Sequence, residues 1–112
     1  MAEQLPLNTF KSVTFNLTTA SQQVYTVPDN VTSIILGTQA ANTSLVPATI
    51  TAELVKTDGL YTILNDFVIP PNDAANIING KLIMESGSAL VVSASSDLSI
   101  DLVISLLETS NV

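Results

Sequence analysis

The chain contains no cysteine, histidine, arginine or tryptophan, and each absence removes a class of function. Without cysteine there are no disulfides and no thiolate metal sites, so stability must come from packing. Without histidine the usual base of a nucleophilic triad is missing. Cations are scarce. Lys11, Lys56 and Lys81 stand against ten carboxylates, for a net charge of −7. Phosphate backbones and anionic lipid are both recognised by clustered cations, so neither a nucleic acid nor a membrane is an expected partner. The apolar runs are short, far below the ~20 residues a membrane helix needs. The first residues, Met1-Ala-Glu-Gln-Leu-Pro, carry no basic segment and no apolar segment of the kind a signal peptide has.

What is present is apolar and alternating. At 112 residues the chain is read as one domain, able to bury roughly two-thirds of its extended surface. It is 46% hydrophobic and only 12% charged, a balance that favours surface buried against other subunits. Leu98, Ile100, Leu102, Ile104 and Leu106 fall on every second residue, which places them on one face of a strand. Ser99, Asp101 and Ser105 take the other face, together with Val103 and Leu107. The same alternation marks strands at Val13–Leu17, Gln22–Val27, Val31–Gln39, Ile50–Leu54, Leu60–Leu64 and from Leu90. In the third, Ile34, Leu36 and Thr38 are expected on one face and Val31, Ser33 and Ile35 on the other, with Gly37 marking a bulge. Pro28-Asp29-Asn30, Thr57-Asp58-Gly59, Pro70-Pro71-Asn72-Asp73 and Glu85-Ser86-Gly87-Ser88 read as turns. Asn65-Asp66 is a possible interruption, and Asn79-Gly80 predicts a hairpin between Ile77-Ile78 and Leu82–Met84. No window has helical spacing. Eight to ten short strands with regular turn signals predict an all-β, antiparallel β-sandwich of jelly-roll or Ig-like type.

No residue pattern announces a reaction. Lys11 adjoins Ser12, but neighbours on a strand point apart, so they do not form a Ser-Lys pair. Asp97 and Asp101 divide between a turn and a strand, and Asp58, Asp66 and Asp73 lie in or beside turns, where aspartate serves local hydrogen bonding. Pro70–Asp73 is the nearest approach to a calcium loop, and a plain turn explains it better. No catalytic residue, metal ligand or cofactor is assigned. Of the aromatics, Phe15 and Phe67 are expected in the core. Tyr25 and Tyr61 are expected at core edges, the alternative being exposed platforms for a glycan. Three Asn-x-Ser/Thr matches, at Asn16, Asn30 and Asn42, read as chance in the absence of a secretory signal.

The stretch from Tyr25 through Thr26-Val27-Pro28 to Gly37, followed by Ala41-Asn42-Thr43-Ser44, resembles small virion structural proteins of tailed bacteriophages. Lys56–Gly59, Val68–Pro71, Asn79-Gly80-Lys81 and Glu85–Leu90 extend the resemblance, which covers about 22–108. The Asn-rich segment after Pro70-Pro71 departs from it. The resemblance implies a non-enzymatic capsid decoration or cement protein that stabilises a shell through subunit contacts. A tail, neck or baseplate accessory protein is one alternative, and a receptor- or glycan-binding module another. Other virion subunits, such as a major capsid protein or tail proteins, are the implied partners. The implied location is the virion, after synthesis in a host cytoplasm.

The expected organisation is an N-terminal arm at 1–9, a β-sandwich domain at 10–108 and a C-terminal tail at 109–112. A homo-oligomer is expected, with a trimer as the assumed closed form. Val103 and Leu107 interrupt an otherwise polar face, and Leu5, Leu7 and Phe10 lie in or beside the arm, so these five residues are the candidate assembly interface. If so, Val103→Asp should impair assembly more than monomer folding, as read by sedimentation alongside thermal melts. Equal loss of both would count against an interface role.

Overall fold

Nine strands account for most of the computed structural model, which describes residues 8–78 and 80–110. They are β1 (Asn8–Asn16), β2 (Gln22–Thr26), β3 (Val31–Asn42), β4 (Ala48–Lys56), β5 (Gly59–Ile69), β6 (Ala74–Asn76), β7 (Leu82–Met84), β8 (Ala89–Ala94) and β9 (Ile100–Ser110). One sheet has the order β1-β9-β3-β6, with β7 also on β3, and the other has β2-β8-β4-β5. Every pairing is antiparallel.

The order has a simple origin. The chain forms one long hairpin about Thr57-Asp58, the two residues between paired Lys56 and Gly59. Moving outward from that turn, β4 pairs β5, β3 pairs β6 and β7, β2 pairs β8, and β1 pairs β9. Rolling this ribbon up adds two further ladders, β3 with β9 and β4 with β8. That is a jelly roll. An Ig-like sandwich, in which the first two strands share a sheet, is excluded because β1 and β2 lie in opposite sheets.

The core fills the space between the sheets. Ile100, Leu102, Ile104 and Leu106 of β9 are buried and meet Ile35, Ile50, Leu90 and Val92 in one cluster. Each such side chain contributes roughly 1.5–3 kcal/mol on transfer from water. Leu98 does not belong to this stripe, contrary to the alternation in the sequence. It is 66% exposed and has a φ of 59°, in the turn before β9 begins. Its N–H donates to the Leu17 carbonyl at 2.8 Å, and Ser99, next to it, is the buried residue. Phe67 is likewise no core residue. It pairs with buried Ile50, but β5 is an edge strand, so one side of the ring stays in water and it is 41% exposed.

Three other local features depart from simple alternation. In β3 the register slips between Ile35 and Gly37, so Leu36 is the extra residue and Gly37 sits beside the bulge. The buried positions change parity there: Ser33 and Ile35 before it, Thr38, Ala40 and Asn42 after it. Ile34 and Thr38 therefore face opposite ways. In β5 the strand runs on through Asn65-Asp66, which are absorbed as a bulge against Thr51, and Asp66 takes a φ of 51°. Its N–H is held by the Thr51 Oγ1 at 3.0 Å.

The third feature concerns β6 and β7, which do not pair with each other as the Asn-Gly signal predicts. They lie end to end along β3, on Gln39–Ala41 and Ser33–Ile35. Between them Ile77 and Ile78 turn into the core. Buried Thr38 holds the break: its carbonyl accepts from the Ile77 N–H, its Oγ1 accepts from the Ile78 N–H, and its hydroxyl donates to Asn76 Oδ1. Asn79 lies outside the described residues.

Leu98 yields a test of this account. A left-handed backbone costs an ordinary L-residue about 1–2 kcal/mol, and asparagine tolerates it better. Leu98→Asn should therefore raise unfolding stability in urea by roughly 0.5–1 kcal/mol. A loss of stability would mean that the exposed leucine packs on something within the chain.

Candidate assembly face

The two outer surfaces of the sandwich differ in chemistry. On the β8 sheet the outward positions mix polar Thr49, Thr51, Glu53 and Ser93 with apolar Val55 and Val91, and Leu60 and Val68 stand exposed on the β5 edge. On the β9 sheet one cross-strand row is apolar from edge to edge. Phe10 of β1 lies opposite Leu107 of β9, Leu107 opposite Ile34 of β3, and Ile34 opposite Ile83 of β7. Directly opposed residues share a face, and strands lie about 4.8 Å apart, so the row is about 14 Å long. Phe10 is 75% exposed and Ile83 64%, while Leu107 and Ile34, on central strands, are half-buried.

The rows beside it are uncharged. Ser12, Ser105 and Gly37 follow on one side, and Asn8, Thr109 and Thr32 on the other. Gly37 meets nothing where a Cβ would stand. Together with Gln39, Asn76 and Val103 it borders a shallow depression of about 270 Å³.

The structure brings two of the five sequence-predicted interface residues into direct opposition, Phe10 and Leu107. Val103 is on the same face, 43% exposed, but opposite Thr14 and Gln39 in a polar row. Leu5 and Leu7 lie outside the described residues. Ile34 and Ile83 complete the row. Ile34 reads as one face with Thr38 until the bulge is known, and Ile83 reads as half of a hairpin.

Beneath this row a polar cluster ties the two sheets. The Tyr25 hydroxyl on β2 donates to Glu108 Oε2 of β9 at 2.5 Å, and the Ser33 hydroxyl on β3 lies 2.5 Å from the tyrosine oxygen. With the phenolic proton given to Glu108, Ser33 is the donor in that second contact. Lys11 Nζ stands 3.5 Å from the same Glu108 oxygen. Burial pushes the Tyr25 phenol up to about 12, and its bond to the Glu108 carboxylate adds to the effect. The four groups satisfy one another, so the cluster is a structural tie rather than a proton-transfer site. Tyr61, by contrast, is partly exposed and donates to Asp58 at 3.2 Å. Of the two tyrosines offered as glycan platforms, Tyr25 is buried and Tyr61 is exposed.

Two other polar sites are also self-contained, whereas the buried Gln22 Oε1 accepts no hydrogen bond from the described residues. Buried Asn42 donates to the carbonyls of Val46 and Ile69 and accepts from the Ser44 hydroxyl and N–H, which moulds the 43–47 loop. Lys56 pairs with Glu85 at 3.0 Å across exposed turns, a contact of small energetic weight. Among the described residues no group of three or more acidic side chains converges as a metal site would require.

No protein-family model matches the chain, and no curated protein matches it. Solved structures do share its fold over nearly its whole length. A chain from a Bacillus endospore appendage, described as a family of disulfide-linked pili, superposes with a TM-score of 0.56 at 8% identity. The match covers 92% of this chain and 86% of that one. A chain from the acid-stable capsid of Helicobacter pylori bacteriophage KHP30 superposes with a TM-score of 0.54, also at 8% identity. It covers 96% of this chain and 90% of that one. At such identity the likeness is one of fold. Disulfide linkage, named for the pilus protein, has no counterpart in a chain without cysteine.

The Tyr25 tie makes a pH prediction. Its phenol ionises at about 12 in the fold and near its ordinary 10 when unfolded. The stabilisation it brings is complete below pH 10 and declines as pH rises from 10 to 12. Ultraviolet titration of a Tyr61→Phe protein should show Tyr25 ionising near 12, together with loss of stability. Ionisation near 10 with the fold intact would show the tie to be absent.

Proposed function

We propose that this chain is a non-enzymatic structural subunit of a bacteriophage virion, and specifically a capsid decoration protein that stabilises the shell by subunit contacts. The observation that carries the reading is the jelly roll itself, which aligns nearly end to end with a phage capsid chain. The resemblance of its turn and strand motifs to small tailed-phage virion proteins supports the same reading independently.

The physical mode of action is burial. A decoration protein does its work by adding apolar contact between neighbouring subunits, and the Phe10–Leu107–Ile34–Ile83 row supplies such contact on a sheet otherwise closed to chemistry. The buried tie among Tyr25, Ser33 and Glu108 keeps the two sheets in register beneath it. Partners in this reading are a major capsid protein and further copies of this chain.

A tail, neck or baseplate accessory role would use the same face at another place on the particle. Immunogold electron microscopy of purified particles separates the two. Label distributed over the head is the expected result. Label confined to the tail or neck would transfer the reading to the alternative, and particles carrying none of the protein would end both.

A further inference from the structure

We infer that the outer face of the β9 sheet is a two-fold self-association face, on which the Phe10–Leu107–Ile34–Ile83 row of one copy packs against the same row of a second copy. The choice of occupant rests on charge. The chain carries −7, yet the outer positions of β1, β9, β3, β6 and β7 include a single ionisable group. That group is Asp101, at the end of the face far from the apolar row, where its carboxylate accepts from the Asn16 side-chain amide. Of the other described acidic residues, Glu53 is on the opposite outer face, Asp66 is in the β5 bulge, Glu108 is turned to Tyr25, and Asp29, Asp58, Asp73, Glu85 and Asp97 are in loops.

A basic partner would find its complement on those acidic surfaces and would gain nothing from a neutral one. A copy of this chain has the opposite problem. It is repelled by surfaces that bear several carboxylates and meets only Asp101 on this face, at the end away from the apolar row. Neutral and apolar at the centre, the face has the charge depletion typical of an interface core. Its size is adequate. Four strands across and the length of β1 give about 19 by 27 Å, on the order of 500 Å² in projection. Two such faces remove about 1,000 Å², the lower bound for a specific pair.

Because the same patch serves both copies, the pairing is isologous and closes at two. This differs from the trimer expected of the sequence. The inference needs no particle, so it stands or falls separately from the virion reading.

The test is sedimentation of the full chain with three single variants. Ile83→Asp and Phe10→Asp alter exposed edge positions and leave the core intact, while Val68→Asp places the same charge on the exposed β5 edge of the other sheet. The wild type should sediment as a dimer at high concentration. Ile83→Asp and Phe10→Asp should each raise the dimer Kd at least about tenfold. Val68→Asp should leave it unchanged, and thermal melts should show all three folded. Raising salt from roughly 0.05 to 0.5 M should tighten the dimer, because screening relieves the repulsion between acidic copies. A monomer up to ~1 mM, a trimer, a dimer indifferent to Ile83→Asp, or a dimer weakened by salt would each overturn the inference.

Discussion

The pairing of β9 between β1 and β3 is the constraint on which the other features depend. It places the last strand of the chain at the centre of a sheet, hydrogen-bonded on both sides. Its inward residues then anchor the core, and its outward residues must form part of a surface row with whatever its neighbours present. A slip of one residue would turn Leu106 outward and Leu107 inward. The core stripe and the apolar row are thus two results of one register. The Tyr25 tie guards that register: Glu108 reaches Tyr25 only when β9 sits where it does against Ser33 and Lys11.

The inward stripe from Ile100 to Leu106 is legible in the sequence, because alternation is a local property of a strand. So are most of the turns, whose residues act within three or four positions of themselves. Leu98 is misread because it continues the alternation numerically while the backbone has already left the strand. Phe67 is misread because hydrophobicity does not reveal that β5 is an edge. The same limit governs the candidate face. Phe10 and Leu107 are identifiable one at a time as apolar residues with no inward role. Their opposition is not, since it depends on which of nine strands lies beside which. Ile34 is concealed by the bulge at Leu36, and Ile83 by an Asn-Gly pair that is a hairpin signal only when the flanking segments bond to each other.

The two outer faces differ in charge. Glu53 stands among threonine, serine and valine on the β8 sheet, and Asp29, Asp58, Asp73, Glu85 and Asp97 lie in the loops. These surfaces repel copies of themselves. The β9 sheet lacks that protection over one continuous area. In the proposed pairing, contact would be confined to a single direction, a condition for a closed assembly rather than open aggregation. Nothing in such a scheme needs a proton donor, a nucleophile or a metal, in keeping with a chain that lacks histidine, cysteine and arginine.

The nested ribbon also governs the order of events during synthesis. Asn8 pairs with Thr109, so the first strand made waits for the last. Contacts this distant in sequence form slowly, because loop closure must precede any reward from packing. The inner hairpin of β4 and β5 can close as soon as it leaves the ribosome, whereas β1 and β3 emerge with open edges. Until β9 arrives, the edge of β3 on which it pairs is open, and the nascent chain is at its most vulnerable to premature association. A high proportion of serine and threonine with few long apolar runs is the composition that would carry such a chain through that interval in solution.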